Sequence, residues 1–344
     1  MAGRVFTMME YWNLRAGEHR PVLSFGGASP ADWQAWQEKA YPTLLELLGP
    51  FPEPAEPEAE VEYSEEAEGL IRERVVFNTE RHMAVPCLLL KPKGMKPDKS
   101  HAAILCVHGH GPYGKDPVAG VRSCAGMESA IAENNYNYGE QMARAGFLTL
   151  CPDLRGFGER RDPYDPVGGR DLCNVNFIKG ALFGSYPLTL NIWDMMRCVD
   201  YLQARPEVDP ERIGMMGMSQ GGTVTAFTAA VDRRIRAADV IAYVNPWAGF
   251  AVQRGNFCGS QVVPGIYESF DTHDIAGLIA PRPLLLEMGL YDSCFYFQDL
   301  RRGYDATARI YAAAGAAGSI EADVHPSTHA FAGNKAFAFF QKNL

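Results

Sequence analysis

The sequence predicts an α/β fold, a doubly wound and mostly parallel sheet preceded by an N-terminal helical arm. Three observations carry that expectation. Strand-sized apolar runs alternate with helical stretches through most of the 344 residues, the runs are apolar throughout, and only the first two are joined by a short polar turn. Strands that are apolar on both sides need cover on both sides, which a parallel sheet between two helical layers provides.

In chain order, the arm shows a helical stripe of Trp33, Trp36, Ala40, Leu44 and Leu47, opened by the start signal Ser29-Pro30. Residues 49–60 are rich in Pro and Glu and read as an extended, solvated linker. The expected division is therefore 1–60 for arm and linker and 61–344 for the main domain. Arg72–Asn78 and Met83–Lys91, separated by the polar turn Thr79–His82, suggest an antiparallel start. The strands that follow are expected at Ala102–Val107, Phe147–Cys151, Ile213–Met218, Val240–Val244, Pro283–Met288 and Ile320–Val324. Helices are expected between and after them, near Tyr138–Ala145, Leu190–Ala204, Gln220–Val231, Phe297–Ala313 and Lys335–Lys342. Two connections, 159–187 and 247–278, are much longer than usual and are expected to shape a binding rim.

Composition narrows the function classes. With 47% hydrophobic and 21% charged residues the chain reads as a soluble globular protein. A net charge of -9 and the lack of a Lys/Arg cluster argue against a nucleic-acid partner. The longest apolar runs are far too short to span a bilayer, so no membrane partner is expected. Eight scattered cysteines without a Cys-x-x-Cys pair, several of them inside strand-like runs, read as reduced and buried. Together with an N-terminus that shows no secretory pattern, they point to a cytoplasmic protein. The oligomeric state, a homo-oligomer included, stays open.

Chemistry enters at Gly217-Met218-Ser219-Gln220-Gly221, where an apolar strand runs into a helix. A serine on a tight strand-to-helix turn is presented as a nucleophile, and glycines on either side let strand and helix approach closely. Such a serine needs a base and a carboxylate to orient it. Asp292 follows the strand Pro283–Met288, and His329 follows Ile320–Val324, each in a strand-end loop. Asp292 also reads as a turn or helix cap, because a helix begins just after it. Glu287 and Asp299 are weaker acids for the role, being inside a strand and a helix. His325 is the rival base, at the end of its strand.

The oxyanion of acyl transfer calls for two fixed N–H donors. Gln220 supplies one at a helix N-terminus, and His110, in His108-Gly109-His110-Gly111, supplies the other. His108 and His110 lack a third ligand nearby in sequence, so no metal site is read from them. Asp153-Leu154-Arg155-Gly156-Phe157-Gly158 precedes no helix and fails as a dinucleotide loop; Asp153 and Arg155 are expected to pin loops by charged hydrogen bonds.

These ordered motifs, with Ala280-Pro281-Arg282-Pro283 and His329-Ala330-Phe331, resemble the α/β-hydrolase superfamily. Within it they are similar to the acetyl xylan esterase and dienelactone-hydrolase-like esterases, over roughly residues 72–344. The resemblance implies an α/β-hydrolase fold, a Ser219–His329–Asp292 triad, and an oxyanion hole of the Gln220 and His110 amides. It implies a small-molecule ester as the partner, acetyl esters of carbohydrates among the candidates, and neither cofactor nor metal. Dienelactone hydrolases use Cys where this chain has Ser219, which points to ordinary carboxylic esters. The 247–278 segment, with Pro264-Gly265, resembles the piece these esterases set over the site. Of its aromatic residues, Trp247, Phe257 and Tyr267 are the candidate substrate-binding residues, with core filling as the alternative. A peptidase of the prolyl-oligopeptidase type and a catalytically silent binding protein are the competing readings. Only a short arm stands before Val61 where such peptidases carry a propeller.

Overall fold

The structure, a computed structural model, describes residues 4–163, 168–169 and 171–344. Residues 164–167 and 170, in the first long connection, lie outside the described residues. The strands are β1 (Glu60–Ala67), β2 (Leu70–Glu80), β3 (Met83–Pro92), β4 (His101–Val107), β5 (Leu148–Pro152), β6 (Val208–Met218), β7 (Ile235–Ile241), β8 (Leu284–Gly289) and β9 (Ile320–His325). They form one sheet in the order β1-β2-β3-β5-β4-β6-β7-β8-β9. The pairings β1 with β2, β2 with β3 and β3 with β5 are antiparallel. From β5 through β4, β6, β7 and β8 to β9 every neighbour is parallel. The predicted α/β class and mostly parallel, doubly wound sheet are therefore observed.

Helices are α1 (Met8–Glu18), α2 (Pro30–Leu48), α3 (Ala125–Asn134), α4 (Tyr138–Arg144), α5 (Leu172–Phe183), α6 (Pro187–Ala204), α7 (Gln220–Val231), α8 (Ile266–Ser269), α9 (Thr272–Gly277), α10 (Phe297–Ala313) and α11 (Ala336–Asn343). Their buried faces divide the core in two. Helices α2, α6, α7 and α10 pack on one face of the sheet, and α4 and α11 on the other. No helix among the described residues is long and apolar enough to cross a membrane.

Helix α2 begins where the sequence marks it. Ser29 caps the N-terminus in a reciprocal capping box with Asp32, and Pro30 sits in the first turn. Trp36, Ala40, Leu44 and Leu48 bury themselves in the main core, so α2 is built into the same core as the sheet. The Pro/Glu-rich stretch has no regular structure from 51 to 59 and is mostly exposed, with a few anchoring contacts. Phe51 stacks on Trp193, and the Pro57 carbonyl accepts the Asn78 N–H at 2.8 Å, which ties the stretch to β2.

One strand is displaced from its expected position. β7 spans Ile235–Ile241, not Val240–Val244, because the chain leaves the sheet at Ala242, whose φ is 50°. Tyr243 and Val244 are buried all the same. Their apolarity reflects core burial beyond the strand end. β1 is exposed along its whole length and Glu-rich, a charged edge that discourages further strand pairing.

Candidate active site

Ser219 occupies the turn between β6 and α7 at φ 60° and ψ -117°. A non-glycine residue held there costs about 1–3 kcal/mol, which its surroundings must offset. Its N–H donates to Ile241 O at 2.9 Å, and its carbonyl accepts from Thr223 N at 2.9 Å. The glycines of the turn are sterically required. A Cβ on Gly217 would lie 2.5 Å from Gly221 O, and one on Gly221 only 2.1 Å from Val107 O. This close approach of β4, β6 and α7 lifts the serine hydroxyl to the carboxyl edge of the sheet.

Asp292 and His329 come from the loops after β8 and β9. The Asp292 Oδ2 accepts from His329 Nδ1 at 2.8 Å, and Asp292 is buried. Its Oδ1 accepts the Cys294 and Phe295 N–H groups at 2.7 and 2.8 Å. The two readings of Asp292 in the sequence thus coincide, since one oxygen caps the turn and the other orients the imidazole. A proton on Nδ1, required by that bond, leaves Nε2 as the free acceptor. The ring lies parallel to Phe295, with centroids 5.5 Å apart. His325 instead turns to Ser327 Oγ and is buried.

Ser219 and His329 line one cavity of about 210 Å³, together with Gly109, His110, Tyr113, Ala130, Asn134 and Tyr136. Its walls are therefore the loop after β4 and the α3 region. Trp247 and Phe257, expected to bind substrate, pack instead with Tyr243 and Phe250 in the core cluster. Tyr267 packs edge-on against His19 of the arm. None of the three lines this cavity, because the 247–278 segment spends its aromatic surface on the core and the arm.

In the loop after β4, Gly109 approaches so closely that a Cβ would lie 2.8 Å from Met218 O and 2.9 Å from the Tyr136 hydroxyl. That hydroxyl accepts the Gly109 N–H at 2.5 Å, which fixes the loop. The N–H of Gln220 is the first of α7 and has no partner within its helix, a favourable site for negative charge. Among the described residues the His110 N–H likewise has no acceptor. The buried His108 accepts the Leu154 N–H at Nε2 and therefore donates from Nδ1 to Gly109 O at 2.7 Å. Burial lowers its pKa and keeps it neutral.

The loop is held from below by a buried ion pair that the sequence motif only half disclosed. Asp153 accepts Lys115 Nζ at 2.8 Å, Lys115 N at 2.8 Å and Glu159 N at 3.0 Å, while Lys115 also reaches Glu159. Burial works against the ammonium, but Asp153 and Glu159 more than offset it and raise the Lys115 pKa. Arg155 pairs separately with Asp194 and Glu80.

Under the His329 loop, Asp239, Glu287 and Asp323 sit on adjacent strands with all three buried. Glu287 accepts the Ala332 N–H at 2.9 Å and so anchors the loop from β8. Burial, with Asp323 nearby, pushes the Glu287 carboxyl up to about 8. Burial and the neighbouring Glu287 raise Asp239 too. A carboxyl raised from 4.5 to about 8 on folding favours the protonated fold, so its stabilisation is complete below pH 4.5 and lost as pH rises through 8. Glu287→Gln imitates the protonated acid. Its Tm is expected to match the parent near pH 4 and to exceed it by a margin that grows up to pH 8 and is full at pH 9; parallel Tm losses in both proteins would refute the assignment.

Comparison with known proteins places this geometry. Residues 132–248 match the acetyl xylan esterase (AXE1) family, a span that contains β6, Ser219 and α7. The chain is 29% identical over 279 residues, 80% of its own length and 87% of the relative's, to the Bacillus subtilis (strain 168) protein named "Putative hydrolase YtaP". A "putative acetyl xylan esterase" from Bacteroides fragilis NCTC 9343 superposes with a TM-score of 0.75 at 20% identity, covering 94% of this chain and 83% of that one. A glucuronoyl esterase from Solibacter usitatus superposes at 0.66 and 17% identity, covering 90% and 93%. The segment that carries the turn at Ser219 thus matches the acetyl xylan esterase (AXE1) family, and the chain as a whole shares its α/β fold with these solved structures.

Proposed function

We propose that the chain is a serine carboxylesterase that cleaves small acyl esters, acetyl esters of carbohydrates among them, through an acyl-enzyme. The observation that carries this reading is the aligned Asp292–His329 pair opening onto the same cavity as the strained Ser219. In the first step Ser219 Oγ attacks the ester carbonyl carbon while His329 Nε2 takes its proton. Negative charge gathers on the carbonyl oxygen, where the Gln220 and His110 N–H groups donate without reorganising. The ester C–O bond then breaks, and the departing alkoxide takes the proton from His329. Water follows, deprotonated by His329, and releases the acid from Ser219.

The small cavity supports a short acyl group. At about 210 Å³ it falls below the ~300–1,000 Å³ of sites that hold drug-sized ligands. Each methylene that fits badly costs about 1–3 kcal/mol of transition-state binding. A p-nitrophenyl ester series from acetate to decanoate is therefore expected to show kcat/KM falling by about tenfold or more by the hexanoate. An acetylated oligosaccharide should be deacetylated in the same preparation. A rate that rises with chain length would contradict the short-acyl reading.

A further inference from the structure

His110 places its ring beside two cysteines that are remote in sequence. The ring lies edge-on to Phe157, and its Nε2 is 3.4 Å from Cys173 Sγ. Cys258 Sγ completes a triangle in which the three atoms all lie within 4.8 Å of one another. We propose that His110, Cys173 and Cys258 form a binding site for a soft divalent cation of the zinc class, which clasps both long connections to the loop after β4.

The geometry suits that ion before it arrives. Zinc bonds of about 2.3 Å to sulfur and about 2.0 Å to nitrogen place tetrahedral ligand atoms about 3.5 Å apart. The His110–Cys173 separation already equals that edge within about 0.1 Å. Charge closes as well, because two thiolates and a neutral imidazole bring a divalent cation to zero net charge in a mostly buried setting. Binding then forms two Zn–S bonds and one Zn–N bond, and the two thiol protons leave to solvent.

The surroundings hold the ligands in place. Ser260 Oγ lies 2.8 Å from Cys258 Sγ, and Gln261 Nε2 donates to that sulfur at 3.7 Å. Gln261 is itself held by Thr223 on α7, the helix that begins after Ser219. Asn174 accepts the Gly259 N–H at 2.8 Å, so the two connections are joined beside the cysteines. Hydrogen bonds to ligating sulfur and to its carriers are what a built metal site requires. Both thiols are buried, while His110 and Cys173 also border an open cavity from which a water or a substrate oxygen can supply the fourth ligand. Catalysis by Ser219 needs no such ion. The site is a clasp on the rim, and Ser219→Ala should bind the metal as the parent does.

The test uses reduced, full-length protein stripped with a chelator and titrated with Co²⁺. One equivalent is expected to bind with a thiolate-to-cobalt charge-transfer band, and saturating Zn²⁺ should raise Tm by about 3 °C or more. Cys173→Ser and Cys258→Ser should each remove most of that band and weaken binding by at least about 100-fold, while Cys124→Ser, outside the cluster, changes neither. X-ray absorption of the Zn²⁺-loaded parent needs no variant and should show two sulfurs at about 2.3 Å with a nitrogen at about 2.0 Å. A shell of nitrogen and oxygen only would overturn the proposal. So would a cobalt spectrum without thiolate character, or a Cys173–Cys258 disulfide recovered from protein purified under reducing conditions.

Discussion

Ser219→Ala is expected to lower kcat for p-nitrophenyl acetate by on the order of 10⁶-fold while leaving KM within a few-fold and the fold unchanged. The substitution deletes the atom that forms the acyl bond in the proposed reaction and disturbs nothing that holds the turn, since Ser219 is fixed through its backbone N–H and carbonyl. What survives is the pocket and the two N–H donors, worth about 10³–10⁴ over water. Asp292→Asn should cost less, about 10⁴-fold, by letting the imidazole settle in the wrong tautomer. That ranking separates a nucleophile from its orienting partner; equal and small losses in both variants would remove Ser219 from the chemistry.

Lys115→Met is expected to destabilise the protein by about 3–5 kcal/mol, read as a shift in the denaturation midpoint at constant slope. Both members of the Lys115–Asp153 pair are essentially without solvent contact. Removing the ammonium strands a buried carboxylate that still accepts two backbone N–H groups. The Glu159 arm of the network is half exposed and contributes little. Replacing both residues, Lys115→Met with Asp153→Leu, should cost less than the sum of the single changes, because no charge is left unpaired. The loop after β4 carries the His110 N–H, so kcat should fall together with stability in Lys115→Met. Unchanged stability would mean that the loop is held by its glycine contacts and Tyr136 alone.

The fold was largely legible because its signal is redundant. Parallel strands covered by helices are mostly apolar, so β4, β5, β8 and β9 announce themselves within a residue or two; β6 does so at its C-terminal end, while its start at Val208 lies five residues before the expected Ile213, in the polar stretch Asp209–Arg212. β7 was misplaced because Tyr243 and Val244 are as buried as any strand residue, and burial is what apolar runs record. α3 and α5 escaped notice, since each buries a single side chain and so has no apolar stripe to read. At the site, Ser219, Asp292 and His329 could be nominated by chain order because each follows a strand that is itself legible, and the structure pairs Asp292 with His329 and sets His329 and Ser219 on one cavity. Tyr136 and Lys115 could not, as their roles come from loops that meet only in three dimensions. The aromatic residues of 247–278 misled for the same reason, their partners being core side chains brought from elsewhere. His110 shows the limit from both sides. Its neighbour His108 makes no metal pair with it, yet the fold delivers two cysteines that no local spacing could foretell.

In the proposed reaction Ser219 carries the acyl group, activated by His329, which Asp292 orients. The most direct test is to react the intact protein with a fluorophosphonate and locate the adduct by peptide mass spectrometry. One adduct per chain is expected, on the peptide containing Ser219, with labelling lost in Ser219→Ala and slowed at least about 10³-fold in His329→Ala. An adduct on any other residue, or labelling of Ser219 that does not depend on His329, would contradict the account.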